Sequence, residues 1–194
     1  MRVHLVDGTF ELFRAHYAPR PSHTAPDGKD LKATVGVIGS LLALLSDPDE
    51  AVTHLAVAFD NPIRSFRNDL FAGYKTEAGI DPALFAQFDD VEAAVAALGV
   101  TVWSMKDFEC DDALATAAVR FSKDAAVSQV RVMTPDKDLG QVLQAERVVQ
   151  VDRRRRRVFT EPTLRAERGY GPQSITDYLA LVGDSSDNIP GVPK

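Results

Sequence analysis

Three short apolar runs in this chain each end on an aspartate, and that pattern narrows the possible folds more than any other feature. Residues 2–6 lead into Asp7, residues 54–59 into Asp60, and residues 129–133 into Thr134-Pro135-Asp136. Runs this short, rich in Val and Leu, read as short strands. Helical patterns stand between and beyond them, over 31–45, 65–75, 81–98 and 111–121. Strands alternating with helices predict an α/β domain with a mainly parallel central sheet flanked by helices. In open sheets of that kind ligands bind beyond the carboxyl ends of the strands. If the three strands are parallel neighbours, Asp7, Asp60 and Asp136 converge on one spot.

The rest of the chain fits this frame. Residues 19–30 form a loop carrying Pro21, Pro26 and Gly28. Residues 100–104 are strand-like, and 147–151 with 157–160 read as a hairpin. A last helix opens at Gly171-Pro172 and runs to about residue 182. Hydrophobic residues make up 45% of the chain, enough for a core. No stretch approaches the roughly 20 apolar residues that cross a bilayer. The N-terminus lacks the long apolar region of a secretory signal, and Cys110 is the only cysteine, so a reducing cytoplasm is expected. His4, His16, His23 and His54 show no zinc spacing. The net charge of −6 argues against a nucleic-acid partner only if the acids are spread evenly. They are not, and two bound divalent ions would bring −6 to −2.

Further acids cluster. Glu109-Cys110-Asp111-Asp112 sits at a predicted helix start, where one acid serves as a cap but three exceed that need. Asp136-Lys137-Asp138 adds a pair. Asp184 and Asp187, three residues apart, would share a face on a helical turn. Close carboxylates repel unless a cation binds. Oxygen donors without His or Cys suit Mg²⁺ or Mn²⁺, and several converging carboxylates suit two such ions about 4 Å apart. The chemistry this serves best is phosphodiester hydrolysis by metal-activated water.

Five motifs in order resemble one family. They are Leu5-Val6-Asp7-Gly8-Thr9; Ala58-Phe59-Asp60 with Phe66-Arg67 and Tyr74-Lys75; Glu109-Cys110-Asp111-Asp112; Asp136-Lys137-Asp138; and the stretch from Gly183-Asp184 through Asp187-Asn188 to Gly191-Val192. The chain is similar over essentially its whole length to the 5′-nuclease domain of bacterial DNA polymerase I and related exonucleases and flap endonucleases. The resemblance implies a PIN-like 5′-nuclease fold over 1–182, with a helical arch over about 64–98. It also implies that 183–194 carry the last metal-binding acids and the start of a helix-two-turn-helix DNA-binding module, cut short. Asp7, Asp60, Glu109, Asp111, Asp112, Asp136, Asp138, Asp184 and Asp187 are then expected to hold two Mg²⁺ ions, with Mn²⁺ as a substitute. Asp7, Asp60, Glu109 and Asp111 would lie nearer one ion, Asp138, Asp184 and Asp187 nearer the other, and Asp136 between. The family's potassium site is expected to be lost with the shortened C-terminus. Implied partners are DNA with a 5′ end or 5′ flap and a DNA polymerase of the same pathway, in the bacterial cytoplasm at the nucleoid, with no membrane and no oligomer.

Arg67 and Lys75 are eight residues apart, about 12 Å on a helix at 1.5 Å per residue, and Arg64 would share a face with Arg67. With the resemblance, Arg67 and Lys75 are expected to clamp phosphate. Arg64, Tyr74, Phe13, Tyr17 and Lys194 are expected to touch DNA. The five arginines at 153–157 would alternate faces in a hairpin, which leaves a solvated turn or a nonspecific phosphate contact open. The chain departs from the family pattern at Pro135, where glycine is common; at Cys110, where alanine is usual; and after Lys75, where a basic residue is often found. Two other functions remain open. One is a catalytically weak DNA-binding module with a nuclease fold. The other is a haloacid-dehalogenase-type phosphatase, which Asp7-Gly8-Thr9 suggests but which requires an acid at position 9.

Overall fold

A computed structural model describes residues 1–193, and in it the three strands that end in aspartate are neighbours. β1 (Arg2–Asp7) lies between β2 (His54–Asp60) and β4 (Gln129–Met133), parallel to both, with Leu5 opposite Ala56 on one side and Val132 on the other. β3 (Thr101–Met105) pairs parallel to β2, and β5 (Val148–Asp152) parallel to β4. β6 (Arg157–Phe159) closes the far edge antiparallel, giving the order β3-β2-β1-β4-β5-β6. The chain moves outward from β1 to β3 and then returns to the other side of β1. The point where the order reverses, between β1 and β4, is where such sheets bind ligands.

Alternate strand residues feed two cores. Val6, Val57, Phe59, Met133 and Val149 face α1 (Gly8–Tyr17), α2 (Lys32–Ser46) and α5 (Phe88–Ala97), which contribute Leu12, Leu41 and Val91. Leu5, Ala58, Val130 and Val132 face α6 (Cys110–Ser122), which contributes Leu114 and Ala118. Burial on both faces explains the unbroken apolar run 55–59 of β2, whereas β4 alternates as far as Val132, with Arg131 paired to Glu50. Gly8 lets the chain turn against β2: a Cβ there would stand 2.5 Å from the Phe59 ring and 2.7 Å from the Ala58 carbonyl oxygen. Among the described residues no helix is long and apolar enough to cross a membrane.

Four local expectations are corrected. The helix expected over 65–75 is a single turn, α3 (Arg67–Leu70). Asn68 accepts from the Ser65 N–H at 2.9 Å and donates to the Lys75 carbonyl at 2.9 Å, so its side chain diverts the backbone from helix into a loop. Arg64 precedes that turn and pairs instead with exposed Asp69 at 2.6 Å. The helix expected over 81–98 is broken into α4 (Pro82–Phe85) and α5, with Gln87 between. Buried Gln87 turns its side-chain carbonyl to the start of α2, accepting from the N–H groups of Ala33 and Thr34 at 3.0 Å. Because Phe88, Val91 and Val95 are core residues, α5 belongs to the sheet's own packing.

The third correction is the Asp184–Asp187 stretch, which is no helical turn. Asp184 ends β7 (Gly183–Asp184), which pairs with β8 (Ile189–Pro190) around the tight turn that carries Asp187. Gly183, at φ 77°, has no room for a side chain, since a Cβ would stand 2.3 Å from the Gly191 nitrogen. The fourth is a helix not expected at all, α7 (Glu161–Arg168). Its signal was present in Thr160 and Thr163, which cap its start reciprocally, and in left-handed Gly169 at its end. It packs with α8 (Ile175–Val182) through Leu164 and Ile175.

Candidate metal centre

Asp7 closes β1 and at once caps α1, its carboxylate accepting from the Phe10 N–H at 2.8 Å and the Thr134 hydroxyl at 2.9 Å. Asp60 closes β2 and accepts from the Cys110 N–H at 2.6 Å, while its own N–H donates to Thr9 Oγ1 at 2.8 Å. Asp136 follows β4 and caps the 3-10 turn Lys137–Val142 through the Asp138 N–H at 2.8 Å. Gln150 of β5 holds this segment by donating to the carbonyls of Thr134 and Asp136. Asp111, in the first turn of α6, reaches the same cleft of about 400 Å³, whose wall also includes Phe13 and Lys75. One carboxylate oxygen each from Asp7 and Asp111 and the Cys110 sulfur lie within 4.8 Å of one another.

These carboxylates are held in a costly state. Burial pushes Asp7 up to about 6 against two hydrogen bonds, and nearby Asp60 and Asp136 add to the rise. Burial, then Asp7 and Asp136, push Asp111 well above the usual carboxylate range, and burial also raises Asp60. The Cys110 thiol is raised strongly by burial and by the acids around it, which rules it out as a nucleophile.

A second cleft of about 400 Å³ opens on the other side of Asp111, with Glu109, Asp112, Asp138 and Asp187 in its wall. Here the acids carry cationic partners. Arg67 grips Asp112 with two bonds, 2.7 and 2.8 Å long, and approaches Glu109 at 3.5 Å. Lys75 bridges Glu109 at 2.9 Å and Asp187 at 3.0 Å. The Tyr74 hydroxyl donates toward the same two carboxylates at 3.2 and 3.1 Å, and Ser65 donates to Glu109 at 2.6 Å. Lys137 holds Asp184 at 2.7 Å. Burial alone would raise Glu109, but Ser65, Lys75 and Arg67 outweigh it and the group is lowered. Asp184 falls to about 2, because Lys137 and Ser186 overcome its burial. Asp138 is the most weakly paired: Lys137 stands 3.9 Å from its buried Oδ1, which has no hydrogen-bond partner among the described residues, and burial and Asp136 push the group up to about 6.

Eight of the nine acids therefore line two adjoining clefts at the carboxyl end of the sheet rather than one pocket, and the ninth, Asp184, lines neither and is held by Lys137. Glu109, expected beside Asp7 and Asp60, stands with Lys75 and Asp187. Tyr17 is 65% exposed and stacks edge-on with His16, at the outer end of α1. Phe13 is half in the core against Phe88. Lys194 lies outside the described residues. The arginine run is largely occupied by its own surroundings: Arg153 binds Ser40, Arg155 pairs with Asp152, and Arg157 pairs with Glu167. Sequence reasoning missed Thr9, Ser65, Thr134 and Lys137 as supports of the acids. Three of them stand within two residues of an acid already singled out, and that adjacency was the available signal.

Carboxylate oxygens beside a thiol held protonated, two buried carboxyls raised by burial and then by neighbouring acids, and one buried carboxylate oxygen without a hydrogen bond fit a hard divalent cation. The family model of the 5′-3′ exonuclease N-terminal resolvase-like domain matches residues 2–169. The chain is 36% identical to DNA polymerase I of Mycobacterium leprae, over 97% of this chain and 21% of that protein. It is 35% identical to the 5′-3′ exonuclease of Bacillus subtilis, over 97% of this chain and 64% of that protein. It thus spans about a fifth of the polymerase relative and under two thirds of the exonuclease. The bacteriophage T5 flap endonuclease, solved as a pseudo-enzyme–product complex with DNA and metal ions, shares the fold with a TM-score of 0.72 at 18% identity, over 99% of this chain and 70% of that one. Acids at the ends of three parallel strands, their order along the chain and the family model agree, and the chain belongs to the 5′-3′ exonuclease family through its N-terminal resolvase-like domain.

Proposed function

We propose that this chain is the catalytic domain of a divalent-metal-dependent DNA 5′-nuclease, cutting phosphodiester bonds near 5′ ends or 5′ flaps. The observation that carries this reading is the convergence of oxygen-only acids at the β1/β4 switch point, faced by Lys75 and Arg67. Asp7, Asp60, Asp111 and Asp136 would hold one Mg²⁺ ion, and Asp138, Asp184 and Asp187 a second, with Glu109 and Asp112 setting the positions of Lys75 and Arg67. Such ions supply an activated water and neutralise charge on the phosphoryl oxygens. The chain's own residues do the rest. Thr134 and the Phe10 N–H orient Asp7, and the Cys110 N–H orients Asp60. Lys75 and Arg67 present fixed positive charge where negative charge grows in the transition state. The irregular segment 64–81, rather than the whole of 64–98, is the part free to act as an arch over the site.

DNA is the proposed substrate, and a polymerase of the same pathway the proposed partner. The phosphatase alternative loses support at Thr9, whose hydroxyl accepts from Asp60 instead of offering a second acid. Incubation with a 5′-flap duplex in Mg²⁺, with p-nitrophenyl phosphate, and with the flap duplex in EDTA separates the readings. Metal-dependent cleavage near the flap junction is expected. Binding in EDTA without cleavage in Mg²⁺ would identify a silent binding module, and ester turnover alone a phosphatase.

A further inference from the structure

Beside the Lys137–Asp184 pair lies a cleft of about 530 Å³ that neither metal cluster uses. Its wall carries Lys137, Arg168, Tyr170, Tyr178 and Ser185. Tyr170 and Tyr178 are stacked, with ring centroids 5.0 Å apart and planes inclined by 27°. Tyr170 leans on the small core of Leu164 and Ile175, which anchors the pair, whereas Tyr178 is 39% exposed. Arg168, in the last turn of α7, makes no ion pair among the described residues. Lys137 is engaged with Asp184 but keeps 40% of its side chain exposed, and an ammonium has three donors to share. A supported aromatic face beside two cations and a hydroxyl is the chemistry that recognises a nucleotide, base on the ring and phosphate on the cations. The volume falls within the range of about 300–1,000 Å³ usual for small-ligand sites.

We propose that this cleft is a nucleotide subsite, in which one base of the substrate DNA strand next to the scissile phosphate stacks on Tyr178 while its phosphate lies between Lys137 and Arg168. This presupposes the nuclease reading above and extends it by naming where the strand leaves the metal clefts. Lys137 is the link, since it touches Asp184 on the metal side and lines the subsite on the other. The stack is indifferent to base identity, because every base has a π face, so the subsite favours DNA with an unpaired or terminal base without selecting sequence.

Single-turnover cleavage of a 5′-flap duplex in Mg²⁺, with enzyme concentration varied, tests this in wild-type protein and in Tyr178→Ala, Tyr178→Phe and Arg168→Ala. Tyr178→Ala should raise the half-saturating concentration about 5- to 100-fold with a nearly unchanged plateau rate. Tyr178→Phe should restore it, and Arg168→Ala should reduce the slope of log affinity against log salt by about one. A 2-aminopurine adjacent to the cleavage position should be quenched on binding wild type and the Phe variant but not the Ala variant. If wild type cleaves and Tyr178→Ala binds as well as wild type, or if the Phe and Ala variants lose equally, no stacking subsite exists. If wild type does not cleave, the nuclease reading itself falls and takes the subsite with it.

Discussion

Asp7, Asp60, Asp111 and Asp136 on one side, and Glu109, Asp112, Asp184 and Asp187 on the other, are carboxylates in opposite electrical situations. The first four make no ion pair among the described residues; Asp7, Asp60 and Asp111 are raised by burial first, with Asp60 and Asp136 adding to Asp7, Asp7 and Asp136 to Asp111, and Glu109 to Asp60. The second four are each paired with Arg67, Lys75 or Lys137. The difference comes from backbone placement. The strand ends and the α6 N-terminus point acids inward at a single place, where Lys75 lines the wall but forms no ion pair with these four. The α3 turn and the Lys137 turn bring cations beside the other four. The unpaired group is the stronger seat for a cation from solution, because a bound ion there displaces nothing. At the paired group an ion competes with Lys75 and Lys137, and by taking Glu109 or Asp187 it would free Lys75 to meet phosphate.

The largest expected effect tests the unpaired group. Asp111→Asn should slow Mg²⁺-dependent single-turnover cleavage by about 10²–10³-fold, the scale of losing one key transition-state electrostatic contact. The same variant should unfold at higher urea concentration than wild type in EDTA, because a repelled buried charge has been removed. Retained cleavage, or a less stable metal-free protein, would erase the distinction between the two groups.

The next effect is a pH dependence. Asp7 stands at about 6 when folded, above its ordinary value of 3.8, so its contribution is fully present below about 3.8 and is lost as pH rises through 6. The loss is roughly 3 kcal/mol at 1.36 kcal/mol per unit. Asp184, at about 2, has the opposite sign: its contribution is present above 3.8 and lost as pH falls through 2. Urea midpoints in EDTA should therefore fall between pH 4.5 and 7.5, and Asp7→Asn should flatten that fall. Added Mg²⁺ should stabilise more at the higher pH. A midpoint that rises over this window would show that Asp7 is not held above its ordinary value in the fold, since the lowered Asp184 changes stability only below 3.8.

A smaller effect probes the paired group directly. Glu109→Gln removes the charge shared by Lys75 and Arg67, and should cost about 2 kcal/mol of stability in EDTA, below the range for a fully buried pair because both cations are partly exposed. Chemical denaturation of this variant beside Asp111→Asn should show shifts of opposite sign. The smallest predicted change is kinetic. Lys75→Ala should lower kcat and kcat/KM together by about tenfold, as for a contact made chiefly in the transition state. A higher KM at constant kcat would instead make Lys75 a substrate-binding residue.

The sequence by itself determined that strands alternate with helices and that aspartates stand at the strand ends. Residues 2–6, 54–59 and 129–133 are short runs rich in Val, Leu and Ala that read as strands, and an aspartate at or just beyond the end of each marks the carboxyl edge. Only the tertiary structure decided how those acids are partnered. Whether a carboxylate is repelled or paired depends on which cation reaches it across space, and Arg67 reaches Asp112 from 45 residues away. It also decided that Asn68 and Gln87 would stop two helices, because each side chain finds backbone partners that helical periodicity leaves out of account. The acids and their order belong to the chain. Their charge states belong to the fold, because burial and Coulomb interaction act through distance in space and not through distance along the sequence.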